Sequence, residues 1–209
     1  HFLYPEPACF LKNKMSSLPV TREQAWTLVK KYNTHEQDLI HYLESEAVLR
    51  ELAKYFGEDV EYWGMLGLLH DIDWGITKDN VETHLTKVSK ILKEIGFDDE
   101  FITNLISHGY GFEELPHLAE KRRTERIQHA LAAGETITGL IHAYALMRGK
   151  RISDMEAKGL MKKFKDKTFA AKIERDVIKE IEKTGLTLEE FFKIAIEGIK
   201  KIKSEVGLE

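Results

Sequence analysis

Apolar residues recur along most of this chain at intervals of three and four, the period of an α-helix, with polar residues filling the positions between. Capping boxes, a Ser or Thr followed three places on by Glu or Gln, announce successive helix starts. Thr21-Arg22-Glu23-Gln24 predicts a helix to about Tyr32, and Thr34-His35-Glu36-Gln37 a longer one to Phe56, closed by Gly57. On the second, His41, Val48, Leu52 and Tyr55 share one face, which puts His41 on the buried stripe. Glu58 to His70 reads as the next helix. Its apolar run (Met65, Leu66, Leu68, Leu69) ends in adjacent imidazole and carboxylate side chains, His70 and Asp71, before Gly75 breaks the pattern.

A loop over Asp73–Asp79 is then expected, followed by a helix from about Asn80 to Ile95 on which His84, Val88, Ile91 and Ile95 align. Gly96 ends it. Asp98 caps a short helix carrying Phe101, Leu105 and His108 on one side, stopped by Gly109 and Gly111. A long helix follows from about Lys121 to Met147. Its middle, Ala130 to Leu140, is built of small and apolar residues that permit close packing, and Glu135 sits within it. A boundary falls at Arg148–Arg151, after which Ser153-Asp154-Met155-Glu156 and Thr187-Leu188-Glu189-Glu190 start the helices of a C-terminal extension. No strand-like alternation of useful length occurs. The expected class is all-α: a helical domain over residues 15–150 with an extension, 151–209, packed on it. Residues 1–14, with Pro5, Pro7 and no periodicity, read as an added or alternative-start segment ahead of Met15.

Composition narrows the function. With 43% hydrophobic and 32% charged residues in 209, the chain can bury a substantial core. A formal charge of −4 argues against bulk nucleic-acid binding. One cysteine excludes a disulfide framework and suggests a reducing, cytoplasmic setting. No apolar run is long enough for a membrane span. Neither a phosphate-binding glycine loop nor an HExxH or serine-elbow motif is present.

His70 and His108 both end helices, where free carbonyls and the negative end of the helix dipole favour a cation. His41 and His84 lie on predicted apolar stripes, and Glu135 is a carboxylate on a central helix that needs a partner. Each histidine alone reads as a hydrogen-bonded core residue. Together, four imidazoles with Asp71 and Glu135 form a ligand set suited to one or two divalent metal ions (Mn, Fe, Mg, Zn, Co or Ni).

The order His41 … His70-Asp71 … His84 … His108 … Glu135 resembles the HD superfamily of metal-dependent phosphohydrolases, whose pattern is H…HD…D with two further histidines in two-metal members. Leu68-Leu69-His70-Asp71-Ile72-Asp73, Thr138-Gly139-Leu140-Ile141 and the Lys162–Lys167 stretch are similar to a subgroup of uncharacterised HD superfamily hydrolases, so the likeness runs from about Thr21 onward. It implies an HD-domain-like helical bundle. It also implies a first metal held by His41, His70, Asp71 and Glu135, and a second held by Asp71, His84 and His108. Glu135 stands where the family usually has Asp. The implied reaction is attack by metal-activated water on a phosphoester of a nucleotide or other small phosphorylated molecule. Lys78 is the candidate cation for the phosphoryl oxygens or else a solvated loop lysine, and Asp73 orients a ligand or the water, or terminates its helix. His142 is second to the ligands or merely core, and His129 gets no role. A di-iron HD-fold oxygenase and a non-catalytic metal-binding regulatory module are the competing readings.

Overall fold

The capping box at Thr21 forms as written. Thr21 Oγ1 accepts the Gln24 N–H, the Gln24 side chain accepts the Thr21 N–H, and helix α1 (Arg22–Tyr32) follows. The computed structural model describes residues 18–209, so the segment 1–14 lies outside the described residues. Asn33 ends α1 and is fully buried. Its side-chain N–H groups donate to the carbonyls of Val29 and Ile72, and its oxygen accepts the Gly75 N–H.

Helix α2 (Glu36–Phe56) ends at Gly57 in the left-handed conformation that glycine adopts at least cost. Helix α3 (Val60–Leu69), capped by Asp59, lies along α2. Gly67 permits this approach, because a Cβ there would stand 2.6 Å from the Ser45 carbonyl oxygen. The consequence is positional: His70, directly after α3, is held against α2. A short α4 (Trp74–Thr77), α5 (Val88–Glu94) and α6 (Asp99–Ile106) come next. Helix α7 (Arg126–Met147) runs through the centre. Gly134 lets Leu49 of α2 come close, since a Cβ would meet its Cδ2 at 2.6 Å. Helices α8 (Ala157–Lys165), α9 (Arg175–Lys179) and α10 (Leu188–Lys201) complete the bundle, with Phe164, Phe191 and Phe192 in the same continuous core as Val48 and Leu49. The described residues contain no strand, and the fold is an all-helical bundle. None of their helices is long and apolar enough to cross a membrane.

Several expectations need correction. The helix expected over Asn80–Ile95 is broken: a 3-10 turn at Val81–Thr83 leads into His84 with ψ 141°, and Leu85 has φ +67°. Asp73 causes this break by accepting the N–H groups of Leu85 and Lys87, which would otherwise serve a continuous helix. Gly75 does not break a helix but lies inside α4, where a Cβ would collide with the Tyr32 carbonyl. The long helix starts at Arg126, five residues later than expected. No side-chain cap forms at Ser153–Glu156; Asp154 pairs with Arg148 instead, and α8 starts at Ala157. Tyr55 is exposed rather than on the buried stripe of α2.

Arg123 joins the segment around His108 to the turn after α9. One of its nitrogens donates to the carbonyls of Ser107, His108 and Tyr110, while the guanidinium forks onto the Glu180 carboxylate of the turn after α9. His129, without a role in the sequence reading, is buried with Nδ1 2.7 Å from the same carboxylate. Burial would raise the Glu180 carboxyl, but Arg123 and His129 outweigh it and hold it down at about 2.

Gly67→Ala is expected to destabilise the protein by about 1–3 kcal/mol in urea unfolding, because the clash is with backbone that cannot turn aside. Glu180→Gln is expected to cost about 2 kcal/mol at neutral pH. The stabilisation from Glu180 is fully present above its ordinary value of 4.5 and is lost as pH falls through about 2, so the two proteins' melting temperatures should converge over that interval.

Candidate metal centre

At His70 the α-helical ladder gives way to tight turns, with Ile72 N–H bonding to Leu69 O and Trp74 N–H to Asp71 O. This change of winding brings His70 and Asp71 to one side, which a continuous helix would not do. The Asp71 carboxylate is the hub. Its Oδ2 lies 3.5 Å from His70 Nε2, and its Oδ1 lies 3.1 Å from Nε2 of both His84 and His108. His41, from α2, stands with Nε2 3.0 Å from His70 Nε2 and 3.7 Å from Glu135 Oε2 of α7. His41 is 30% exposed, so it faces an opening rather than the core expected for it. His84 reaches the centre because its helix is broken, not because it shares an apolar stripe.

Hydrogen bonds at the opposite ring nitrogens decide what this cluster can bind. His70 Nδ1 faces the Gly67 carbonyl at 2.8 Å, and His108 Nδ1 faces the Leu105 carbonyl at 2.7 Å. His84 Nδ1 lies 2.9 Å from Asp73 Oδ1. His41 Nδ1 lies 2.9 Å from Thr138 Oγ1, whose own proton goes to the Glu135 carbonyl at 2.7 Å. All four partners accept, so the neutral rings carry their proton on Nδ1 and aim an unprotonated Nε2 inward. Bare nitrogens converging on a carboxylate repel unless a positive charge sits among them. The atoms fall into two groups, His41–His70–Asp71 and Asp71–His84–His108, each with ligand atoms within 4.8 Å of one another. Asp71 is common to both, one oxygen turned toward each. The donors present therefore fit one or two divalent ions of the borderline kind that take imidazole with carboxylate.

The electrostatics agree. Burial raises an isolated carboxyl, but His70, His84 and His108 outweigh it at Asp71 and hold that group well below the ordinary range. Burial lowers His70 to about 3 despite Asp71 beside it, so this ring stays neutral. Burial also opposes charge on His84, but the carboxylates of Asp71 and Asp73 overcome it and raise this ring to about 10. The inward Nε2 of His84 therefore takes up a proton at neutral pH, in the place that a metal ion would hold if bound. Glu135, 15% exposed and held by the Thr136 hydroxyl, is raised by burial against the pull of His41.

Asp73 lies fully buried behind His84, where it orients the ring and caps the start of α5. Lys78 stands off to one side, its Nζ 4.0 Å from Asp38 Oδ2. His142 does not reach the cluster: its Nδ1 bonds the buried Glu44 at 2.7 Å. Thr138 is the residue that sequence reasoning missed. It sits three places after Glu135, one turn along α7, but no pattern there announces a histidine-orienting hydroxyl. Tyr42 was missed as well; its hydroxyl lies 2.7 Å from the Asp71 carbonyl.

An all-helical bundle with imidazoles and carboxylates from four or more helical segments converging on a His-Asp pair defines a class of metal-binding helical domains. The chain belongs to the HD domain family, whose family model matches residues 38–142, half of the sequence, and spans every one of these side chains. Members of that family bind divalent metals and commonly are metal-dependent phosphohydrolases. Neither a curated protein nor a solved structure matches the chain.

Asp73→Asn places an amide N–H where His84 Nδ1 and two backbone groups already donate. It should weaken metal binding at the Asp71–His84–His108 group about 10–100-fold, read as metal retained during stepwise chelation, while the His41–His70 side holds its ion.

Proposed function

We propose that this chain is a metal-dependent phosphohydrolase cleaving a phosphoester of a nucleotide or another small phosphorylated molecule. The observation that carries the proposal is the set of four inward Nε2 atoms disposed about the two oxygens of Asp71. In this reading His41, His70, Asp71 and Glu135 hold one ion, and Asp71, His84 and His108 a second. Bound divalent ions supply an acidic water at neutral pH and neutralise charge on the phosphoryl oxygens.

The chain's own groups do the remaining work. The Nδ1 bonds to Gly67, Leu105, Asp73 and Thr138 fix ring orientations before substrate arrives, so little reorganisation is left for the reaction itself. Trp74 packs edge-on against His84, while the more exposed His41 and Glu135 stand at the open side. Glu135, whose proton affinity is raised by burial, is placed to take a proton from the attacking water or to act as ligand, with one more methylene of reach than the Asp usual in the family. Asp73 acts through His84. The small cavity at the mouth and the mixed His–carboxylate donors suit a compact anionic ester better than a polymer.

Protein stripped and reloaded with Mn, Co, Fe or Mg should release inorganic phosphate from some members of a panel of nucleotides and sugar phosphates. Asp71→Ala should lose bound metal and at least about a thousandfold in rate, since one side chain serves both ions. Retained iron with charge-transfer bands and oxygen uptake, without phosphate release from any ester, would overturn the proposal in favour of oxidation.

A further inference from the structure

A cavity of about 260 Å³ opens over His41, Glu135 and Thr136, and its far wall is Phe112, Lys172 and Ile173. We propose that Lys172 is the residue that binds the anionic phosphoryl end of the substrate, and that Phe112 bounds its leaving group. This assignment rests on the phosphohydrolase reading above and gives to Lys172 the part that the sequence pattern suggested for Lys78.

The two lysines differ in their surroundings. Lys78 is already opposite Asp38, whereas Lys172 makes no ion pair among the described residues, including with Glu174 on the same cavity wall. Lys172 nonetheless stands on a fixed segment. The loop between α8 and α9 is gathered around Arg175, whose guanidinium donates to the carbonyls of Phe164, Asp166, Phe169, Ala170 and Ile173. Ile173 is seated on Gly139 of α7, where a Cβ would stand 2.7 Å from its Cδ1. Gly139 follows Thr138, the hydroxyl that orients His41. The same stretch of α7 therefore sets both the metal-facing ring and the loop that carries the lysine. A compact ammonium on such a loop binds a phosphoryl oxygen as a point charge.

Phe112 is half-buried between this cavity and a neighbouring one of about 350 Å³ beside Tyr110 and Lys121. Its ring presents an apolar surface one side chain away from the charged mouth. A phosphomonoester dianion with a ring-bearing leaving group matches that pairing, and the second cavity leaves room for a longer one.

The test uses manganese-loaded wild-type protein, Lys172→Met, Lys172→Arg and Phe112→Ala. Calorimetry gives the Kd for inorganic phosphate, and phenyl phosphate hydrolysis gives kcat and KM. Lys172→Met should raise both the phosphate Kd and the phenyl phosphate KM about tenfold or more, with metal content unchanged, and Lys172→Arg should recover most of the loss. Phe112→Ala should raise KM for phenyl phosphate and leave the phosphate Kd alone. If wild-type protein binds and cleaves while Lys172→Met does both equally well, the lysine assignment is wrong and the hydrolase reading stands. If Phe112→Ala leaves the phenyl phosphate KM unchanged, or shifts the phosphate Kd as much, the leaving-group role falls. If metal-loaded wild-type protein neither binds phosphate nor cleaves the ester, the hydrolase reading fails and takes this assignment with it.

Discussion

The Nδ1 protons of four histidines are all committed to acceptors inside the protein, and most of the architecture can be read as what that commitment demands. Two acceptors are carbonyls one turn back on the histidine's own helix, Gly67 and Leu105. One is a carboxylate from the neighbouring turn, Asp73, and one a hydroxyl from α7, Thr138. Each fixes a tautomer and a ring plane at once. In the neutral rings the inward nitrogens are then left without protons around an anionic group, an arrangement that is unfavourable alone and favourable about a cation, be it the proton on His84 or a metal ion in its place.

Positioning these rings requires helices to approach more closely than ordinary side chains allow. Gly67 draws α3 onto α2, and Gly134 draws α7 onto α2. The first approach puts His70 beside His41; the second brings Glu135 and Thr138 to the same opening. Farther out, the Arg123 clamp ties the carbonyls around His108 to Glu180, so the C-terminal segment bears on the backbone that carries this histidine. The loop gathered by Arg175 closes the opposite side. Residues beyond the stretch that matches the HD family thus complete the mouth of the site.

The helical class, both ends of α1, the Gly57 end of α2, the Thr187 start of α10 and the pairing of His70 with Asp71 were legible because each depends on local pattern: period, caps and the junction of an apolar run with polar residues. The capping box expected at Thr34, by contrast, does not form, and His35 takes the cap position without a side-chain bond. His84 was found for a wrong reason. Its spacing with Val88 and Ile91 suggested a stripe, yet the chain breaks there because Asp73, eleven residues earlier, captures its backbone amides, and no local signal marks that capture. Thr138 was invisible for a related cause, since a threonine in a helix looks the same whether it serves a ring 97 positions away or only its own turn. Arg123, His129 and Glu180 likewise meet only through tertiary packing. The resemblance to a family supplied the grouping that periodicity could not.

Leu85, buried and with φ +67°, sits in a backbone region that a residue with a Cβ occupies only under constraint. Its side chain fills the space beside Gly109, and its amide is held by the carboxylate that orients His84. Relaxing this residue and preserving the centre are consequently opposed aims. Glycine at this position would relieve the torsion but empty the space beside Gly109 and loosen the turn that aims His84, so the buried leucine side chain is what holds a strained backbone in place.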